Sequence, residues 1–165
     1  MTDQNTAESF VADPIVENVR ASLAAAGLAD TVLLVPESVA TAAAAAAALG
    51  CDVGAIANSL IFECDGAPLL ILASGAAKVD VKMVARQHGL PKISRADPDF
   101  VLKHAGQPVG GVAPLGHPAP LRAFLDTDLA QYPVLWAGAG SHQAMLSLSY
   151  QQLLAITAAT ETAVR

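Results

Sequence analysis

The segment Gly110-Gly111-Val112-Ala113-Pro114 is the part of this sequence whose residue types could serve chemistry directly. Glycine puts no side chain in the way, so the backbone N–H groups of such a loop can come close to a substrate carbonyl. Donors placed that way stabilise the oxyanion that forms when an acyl group is hydrolysed. A turn that merely joins a helix to a strand has the same composition, and the loop by itself leaves both roles open.

Other reaction classes fail on spacing. His88, His104, His117 and His142 are scattered, without a His-x-x-x-His or His-plus-carboxylate grouping, and Cys51 and Cys64 are too few for a structural zinc site. The sequence therefore predicts no metal, no cofactor and two buried thiols. A Gly-x-Ser-x-Gly elbow, a Walker A loop and a dinucleotide fingerprint are all missing, which disfavours serine-elbow, nucleoside-triphosphate and nicotinamide chemistry. Asp126, closing an apolar run, is expected to turn or cap the chain rather than act as a general base.

The elements that must position the loop fit one domain. A length of 165 residues suits a single core, with residues 1–12 expected as a flexible polar tail and 13–165 as the folded unit. Hydrophobic residues at 53% and charged residues at 15% describe a globular chain, not a disordered one. Aromatics are only 4%, so the core must be aliphatic and rich in alanine. No run approaches the roughly 18–20 apolar residues of a membrane span, and the N-terminus has acids where a signal peptide is basic. A cytoplasmic protein without a membrane partner is expected. The net charge of −6 disfavours broad binding along nucleic acid but leaves room for a grip on the end of an RNA.

Asp13-Pro14, then Val16, Val19 and Leu23 before Gly27, predicts a first helix with a cap, a first-turn proline and a closing glycine. Val32 to Val35 suits a short strand, and Thr41 heads an alanine helix ending at Leu49-Gly50. Ile56 to Glu63 and Pro68 to Ser74, joined through Asp65-Gly66, form an expected hairpin whose apolar second arm must be covered on both faces. Helices are expected from Asp80 to His88 and from Asp97 to Ala105, followed by the irregular stretch 107–118. Leu121 to Leu125, Val134 to Ala137 and Met145 to Leu148 suit strands, and Ser149 to Thr157 a capped helix. Without a regular βαβ repeat, an α+β domain is expected.

The alanine helix, then Ile56-Ala57-Asn58-Ser59-Leu60, Ser74-Gly75 with Val79-Asp80, Ala96-Asp97-Pro98 and the Val109-to-Gly116 loop resemble, in that order, the YbaK/prolyl-tRNA-editing family of aminoacyl-tRNA deacylase domains. The likeness runs from about Val32 to Leu154 and includes Ala137-Gly138 and the start of the last helix at Ser149. It implies a mixed, curved, barrel-like sheet with flanking helices, and metal-free hydrolysis of a mischarged amino acid on tRNA. The implied partners are a tRNA 3′ end carrying an amino acid and an aminoacyl-tRNA synthetase. In the family a lysine before Ser/Thr-Leu lies beside the tRNA end, and the Gly-x-x-x-Pro loop borders the aminoacyl group.

Carried over to this chain, the resemblance makes Asn58, Gly110 and Gly111 the candidate catalytic residues and Ser59, Val112, Pro114, Gly138 and His142 the candidate substrate-binding residues. The departure is Asn58 itself, which stands where the family has lysine: an amide donates neutral hydrogen bonds, whereas lysine brings a charge. Asn58 could orient the ribose or water, a cation such as Lys78, Lys82 or Lys103 could substitute, or the site could bind without turnover. Asn58 could also be a hydrogen-bonded strand residue and nothing more. The expected function is trans-editing deacylation of a small amino acid. The alternatives are an inactive module binding an aminoacyl or nucleotide-like ligand or a synthetase, and a small-ester hydrolase.

Overall fold

The computed structural model describes residues 13–165. The tail expected over residues 1–12 lies outside the described residues. In chain order the elements are α1 (Pro14–Ala25), β1 (Leu33–Leu34), α2 (Ala42–Leu49), β2 (Ile56–Cys64), β3 (Ala67–Ser74), α3 (Val81–His88), β4 (Ile93–Arg95) and α4 (Pro98–Ala105). Then follow β5 (Arg122–Asp126), β6 (Leu135–Gly138), β7 (Ala144–Leu148), α5 (Tyr150–Thr157) and β8 (Thr160–Thr162), with short 3-10 turns at Val53–Ala55 and Thr127–Gln131. Among the described residues no helix is long and apolar enough to cross a membrane.

Helix starts follow local chemistry. Asp13, Thr41, Asp80, Asp97 and Ser149 each accept a backbone N–H of the first turn, and Ser149 with Gln152 completes a capping box. Gly50, Gly89 and Gly106 end their helices in the left-handed conformation. The hairpin turns on Asp65 and Gly66, both at positive φ, which is the two-residue turn whose twist matches paired strands.

One mixed eight-stranded sheet runs in the order β1-β7-β6-β2-β3-β5-β8, with β4 added beside β2. The pairs β2–β6, β3–β5 and β5–β8 are parallel and the rest antiparallel. The apolar arm β3 is central, as expected. Leu70 and Leu72 face a core built with α1, α4 and α5, while Leu69, Ile71 and Ala73 face one built with α3. A third cluster joins α2 to Ile56 and Met145. The alanines of α2 permit close approach: a Cβ on Gly75 would stand 2.8 Å from the Ala42 methyl, so there is no space for larger groups at that contact.

Three differences from the sequence expectations have physical causes. The strands β4 and β8 have three residues each, too short to carry a periodicity, and exist because β2 and β5 offer them an edge. The strand expected over Val32 to Val35 is regular only at Leu33–Leu34, although Val35 and Val39 N–H still bond to Gln143 and His142 carbonyls. Cys51 and Cys64 are half-buried rather than fully buried, and burial still raises the Cys51 thiol above its ordinary pKa. That shift favours the inert thiol over a nucleophilic thiolate.

Asp126 is buried, and its carboxylate accepts the Ser74 N–H at 3.0 Å and the Asp128 N–H at 3.0 Å. It caps the 3-10 turn, as expected.

Candidate functional site

Strand β2 is flanked by β3 along one edge from Ala57 to Cys64. On the other edge β6 pairs only with Ile56 and Ala57, and β4 only with Phe62 to Cys64. Among the described residues nothing pairs with that edge from Asn58 to Ile61, in the middle of the sheet. Because the hairpin closes on the Cys64–Ala67 pair, even-numbered residues of β2 bond to β3, and the N–H and C=O of Ser59 and Ile61 point into the opening.

The glycine loop and the start of α2 come to this gap. A groove of about 420 Å³ is lined by Asn58 to Phe62, by Ala40 to Ala42, by Val109, Gly110 and Val112, and by Arg95. At its inner end a chamber of about 30 Å³ is bounded by Asn58, Ser59, Gly110, Val112 and Gly138 together with apolar residues such as Ile56 and Met145. Among the described residues the Asn58 side chain makes no hydrogen bond, and the Ser59 hydroxyl is buried without a partner. Asn58 is therefore not tied into the strand by its side chain. Among the described residues no histidine or carboxylate bonds to the Ser59 hydroxyl to activate it as a nucleophile.

The loop is held from below. Gln107 is 1% exposed; its Oε1 accepts the Ala113 N–H at 2.6 Å and its Nε2 donates to the Leu115 carbonyl at 3.1 Å. Asn18 donates to the Gly116 carbonyl at 2.9 Å, and His117 Nε2 donates to the Ala113 carbonyl at 2.8 Å. Burial pushes the His117 imidazole below its usual pKa, partly offset by that hydrogen bond. Neither Gln107 nor Asn18 sits in a recognisable motif, and the only local signal for Gln107 is its place at the head of the irregular stretch.

Gly110 sits at φ +84°, in the left-handed region, with Ala40 packed so that a Cβ would come 3.1 Å from its methyl and carbonyl oxygen. The Gly111 N–H is donated to the Pro108 carbonyl at 2.9 Å, and its own carbonyl accepts the Gly140 N–H at 2.8 Å. Gly111 thus has no free amide for a substrate. Its missing side chain instead lets the Ser141 backbone approach, since a Cβ would stand 3.0 Å from it. Gly138 likewise makes room for the Val112 carbonyl, 2.9 Å from where its Cβ would be. No hydrogen bond is donated by the Gly110 or Val112 N–H among the described residues.

The expected site residues therefore separate. Asn58, Ser59, Gly110, Val112 and Gly138 meet at the groove and its chamber. Pro114 is buried and lines a different cavity of about 330 Å³, with His117, Leu121 and Ile156. His142 is exposed outside the groove lining and donates through Nε2 to the Val109 carbonyl at 2.7 Å, pinning the loop. Of the cations considered as replacements for the family lysine, none lines the groove: Lys82 borders a separate depression on α3, and Lys78 and Lys103 border neither. Arg95 does line it, brought there by the β4–β2 pairing at Phe62, which the sequence did not reveal.

Residues 36–156 match the family model for an aminoacyl-tRNA editing domain. The chain is 32% identical over 117 residues to the uncharacterized protein YwhH of Bacillus subtilis (strain 168), covering 70% of this chain and 74% of that protein. It superposes with a TM-score of 0.86 on a crystal structure described as a candidate trans-editing enzyme for prolyl tRNA synthetase, at 36% identity, over 93% of this chain and 98% of the other. A crystal structure described as hypothetical protein APE2540 is similar at a TM-score of 0.82 and 27% identity, over 89% and 98%.

Proposed function

The chain belongs to the aminoacyl-tRNA editing domain family, and from that premise we propose that it hydrolyses, in trans, the ester joining a small amino acid to the 3′ end of a mischarged tRNA. The observation that carries this reading is the convergence of Asn58, Ser59, Gly110 and Val112 at the open stretch of β2. The aminoacyl ester would lie across the mouth of the inner chamber. The Gly110 and Val112 amides are the donors for its carbonyl oxygen, and the Asn58 amide orients the ribose or the attacking water. Water adds to the carbonyl carbon, the bond to the ribose oxygen breaks, and that oxygen takes a proton. The products are the free amino acid and the tRNA 3′ terminus.

The chamber of about 30 Å³ has room for a group the size of a water or a methyl, which supports a small amino acid as the substrate. Each methylene too many would cost roughly 1–3 kcal/mol of discrimination. Arg95, opposite Phe62, lies about 13 Å along β2 from Asn58 at 3.3 Å per residue. That is too far to act on the carbonyl and suits a backbone phosphate of the entering strand. Purified protein should release amino acid from tRNA charged with Ala, Ser or Cys; failure to release any of the three would end the enzymatic proposal.

One observation favours a second reading, a module that binds the aminoacyl end or docks on a synthetase without turnover. Among the described residues no cation lines the inner chamber, so with Asn58 in the lysine position the ester end of the site has no positive charge from them. The Asn58 variants described in the Discussion separate the two.

A further inference from the structure

Nine Lys and Arg residues face fifteen Asp and Glu in this chain, yet residues 81–96 contain Lys82, Arg86, Lys92 and Arg95 and no acid at all. The fold gathers them. Lys82 and Arg86 are one turn apart on α3, and with Lys92 they border a depression of about 510 Å³ whose floor includes Leu90 and Ile93. Ile93 and Arg95 share one face of β4, about 7 Å apart at 3.3 Å per residue, and Arg95 borders the groove. A strip of positive charge thus runs from the groove mouth along β4 to the exposed side of α3.

All four cations are exposed, and among the described residues the ion pairs involve only Arg20 and Arg165. The nearest acids along the chain are Asp80 and Asp97, and each carboxylate is occupied in capping, accepting the Met83 and Phe100 N–H groups at 3.0 Å and 2.8 Å. Among the described residues these four cations of an otherwise acidic protein form no ion pair. They repel one another, which is tolerable where an outside anion neutralises them.

We propose that Lys82, Arg86 and Lys92 bind the sugar-phosphate backbone of the RNA duplex that leads into the groove, so that the acceptor stem of the tRNA lies across α3 and β4 while its single-stranded end passes Arg95. This placement rests on the groove being the site for the tRNA 3′ end. The contacts are to phosphates and carry no base specificity, so the strip would set affinity and orientation for RNA in general. The acidic remainder of the surface would repel RNA elsewhere and confine it to this one track.

The test compares wild type with the triple variant Lys82→Ala/Arg86→Ala/Lys92→Ala, and with Lys103→Ala as a cation outside the strip. Binding is measured by fluorescence anisotropy to an uncharged hairpin mimicking an acceptor stem with its 3′ overhang, and to the single-stranded tetranucleotide ACCA alone. The triple variant should lose about tenfold or more in hairpin affinity, and its dependence of log K on log salt should flatten by about 2–3. ACCA binding and the Lys103→Ala variant should match wild type. Unchanged hairpin affinity in the triple variant would overturn the proposal, as would an equal loss for ACCA. Loss of binding to anionic phospholipid vesicles with hairpin binding intact would overturn it in favour of a membrane surface. A wild type that binds the hairpin through the strip but releases no amino acid would remove the deacylase reading and leave the strip standing.

Discussion

The Gln107 side chain receives the Ala113 N–H at 2.6 Å and hands its own amide to the Leu115 carbonyl, fixing the loop between Val112 and Gly116. Both bonds are buried, so replacing Gln107 with leucine orphans a donor and an acceptor at a cost of about 1–3 kcal/mol each. Equilibrium denaturation should show that loss. If Gln107 holds the loop in its working shape, kcat on charged tRNA should fall as well, at temperatures where the variant is still folded.

Gly110 and Gly66 share positive φ, but only Gly110 has neighbours waiting for a side chain. Alanine at either position should cost about 1–2 kcal/mol of stability from the left-handed backbone alone. Gly110→Ala should in addition displace the loop from Ala40 and lower deacylation sharply, whereas Gly66→Ala should leave activity unchanged. Equal activity in the two variants would remove Gly110 from the site.

Asn58→Ala removes the unengaged amide at the chamber mouth. It should lower kcat by tenfold or more if that amide orients ribose or water, since one positioned hydrogen bond in a dry site is worth about 1.4 kcal/mol or more. Asn58→Lys restores a cation. Activity gained only with lysine would show that the natural protein binds without turnover; activity lost with alanine would show a working asparagine.

Arg95→Gln should raise KM for charged tRNA with little change in kcat, because a phosphate contact far from the carbonyl is the same in the ground and transition states. A fall in kcat at unchanged KM would contradict the assignment of Arg95 to the nucleic-acid strand.

His117 gives a pH signature. Burial holds its folded pKa below the ordinary 6.5, so above that pH the ring is neutral in both states and its contribution is complete. As pH falls below 6.5 the unfolded chain takes up the proton first, and stability is lost until pH passes the depressed folded value. Melting curves of wild type between about pH 7 and pH 5 should drop more steeply than those of His117→Gln. Parallel curves would show that the imidazole titrates without strain.

Much of the fold was legible because its signals are local. Asp-Pro at Asp13 and Asp97, Thr41 before alanines, Asp65-Gly66 between apolar arms and Ser149 before Gln152 each act within four residues, and each forms the cap or turn expected of it. The candidate site was legible in part, through Asn58, Ser59, Gly110, Val112 and Gly138, which do meet. Gly111 and Pro114 belong to the same loop but do not serve the groove: one amide closes a turn, and one ring lines a different cavity.

By itself the sequence determined the elements, the glycine loop, the neutral amide in the lysine position and an acidic net charge, because composition and short-range hydrogen bonding depend on nothing beyond neighbouring residues. Only the tertiary structure decided where β2 is left open, that Arg95 rather than any lysine reaches the groove, and that Lys82, Arg86 and Lys92 border one depression. The opening in β2 and the placement of Arg95 depend on pairings between residues thirty or more positions apart, such as Phe62 with Arg95. Such pairings are chosen by the burial of whole faces, not by any local pattern.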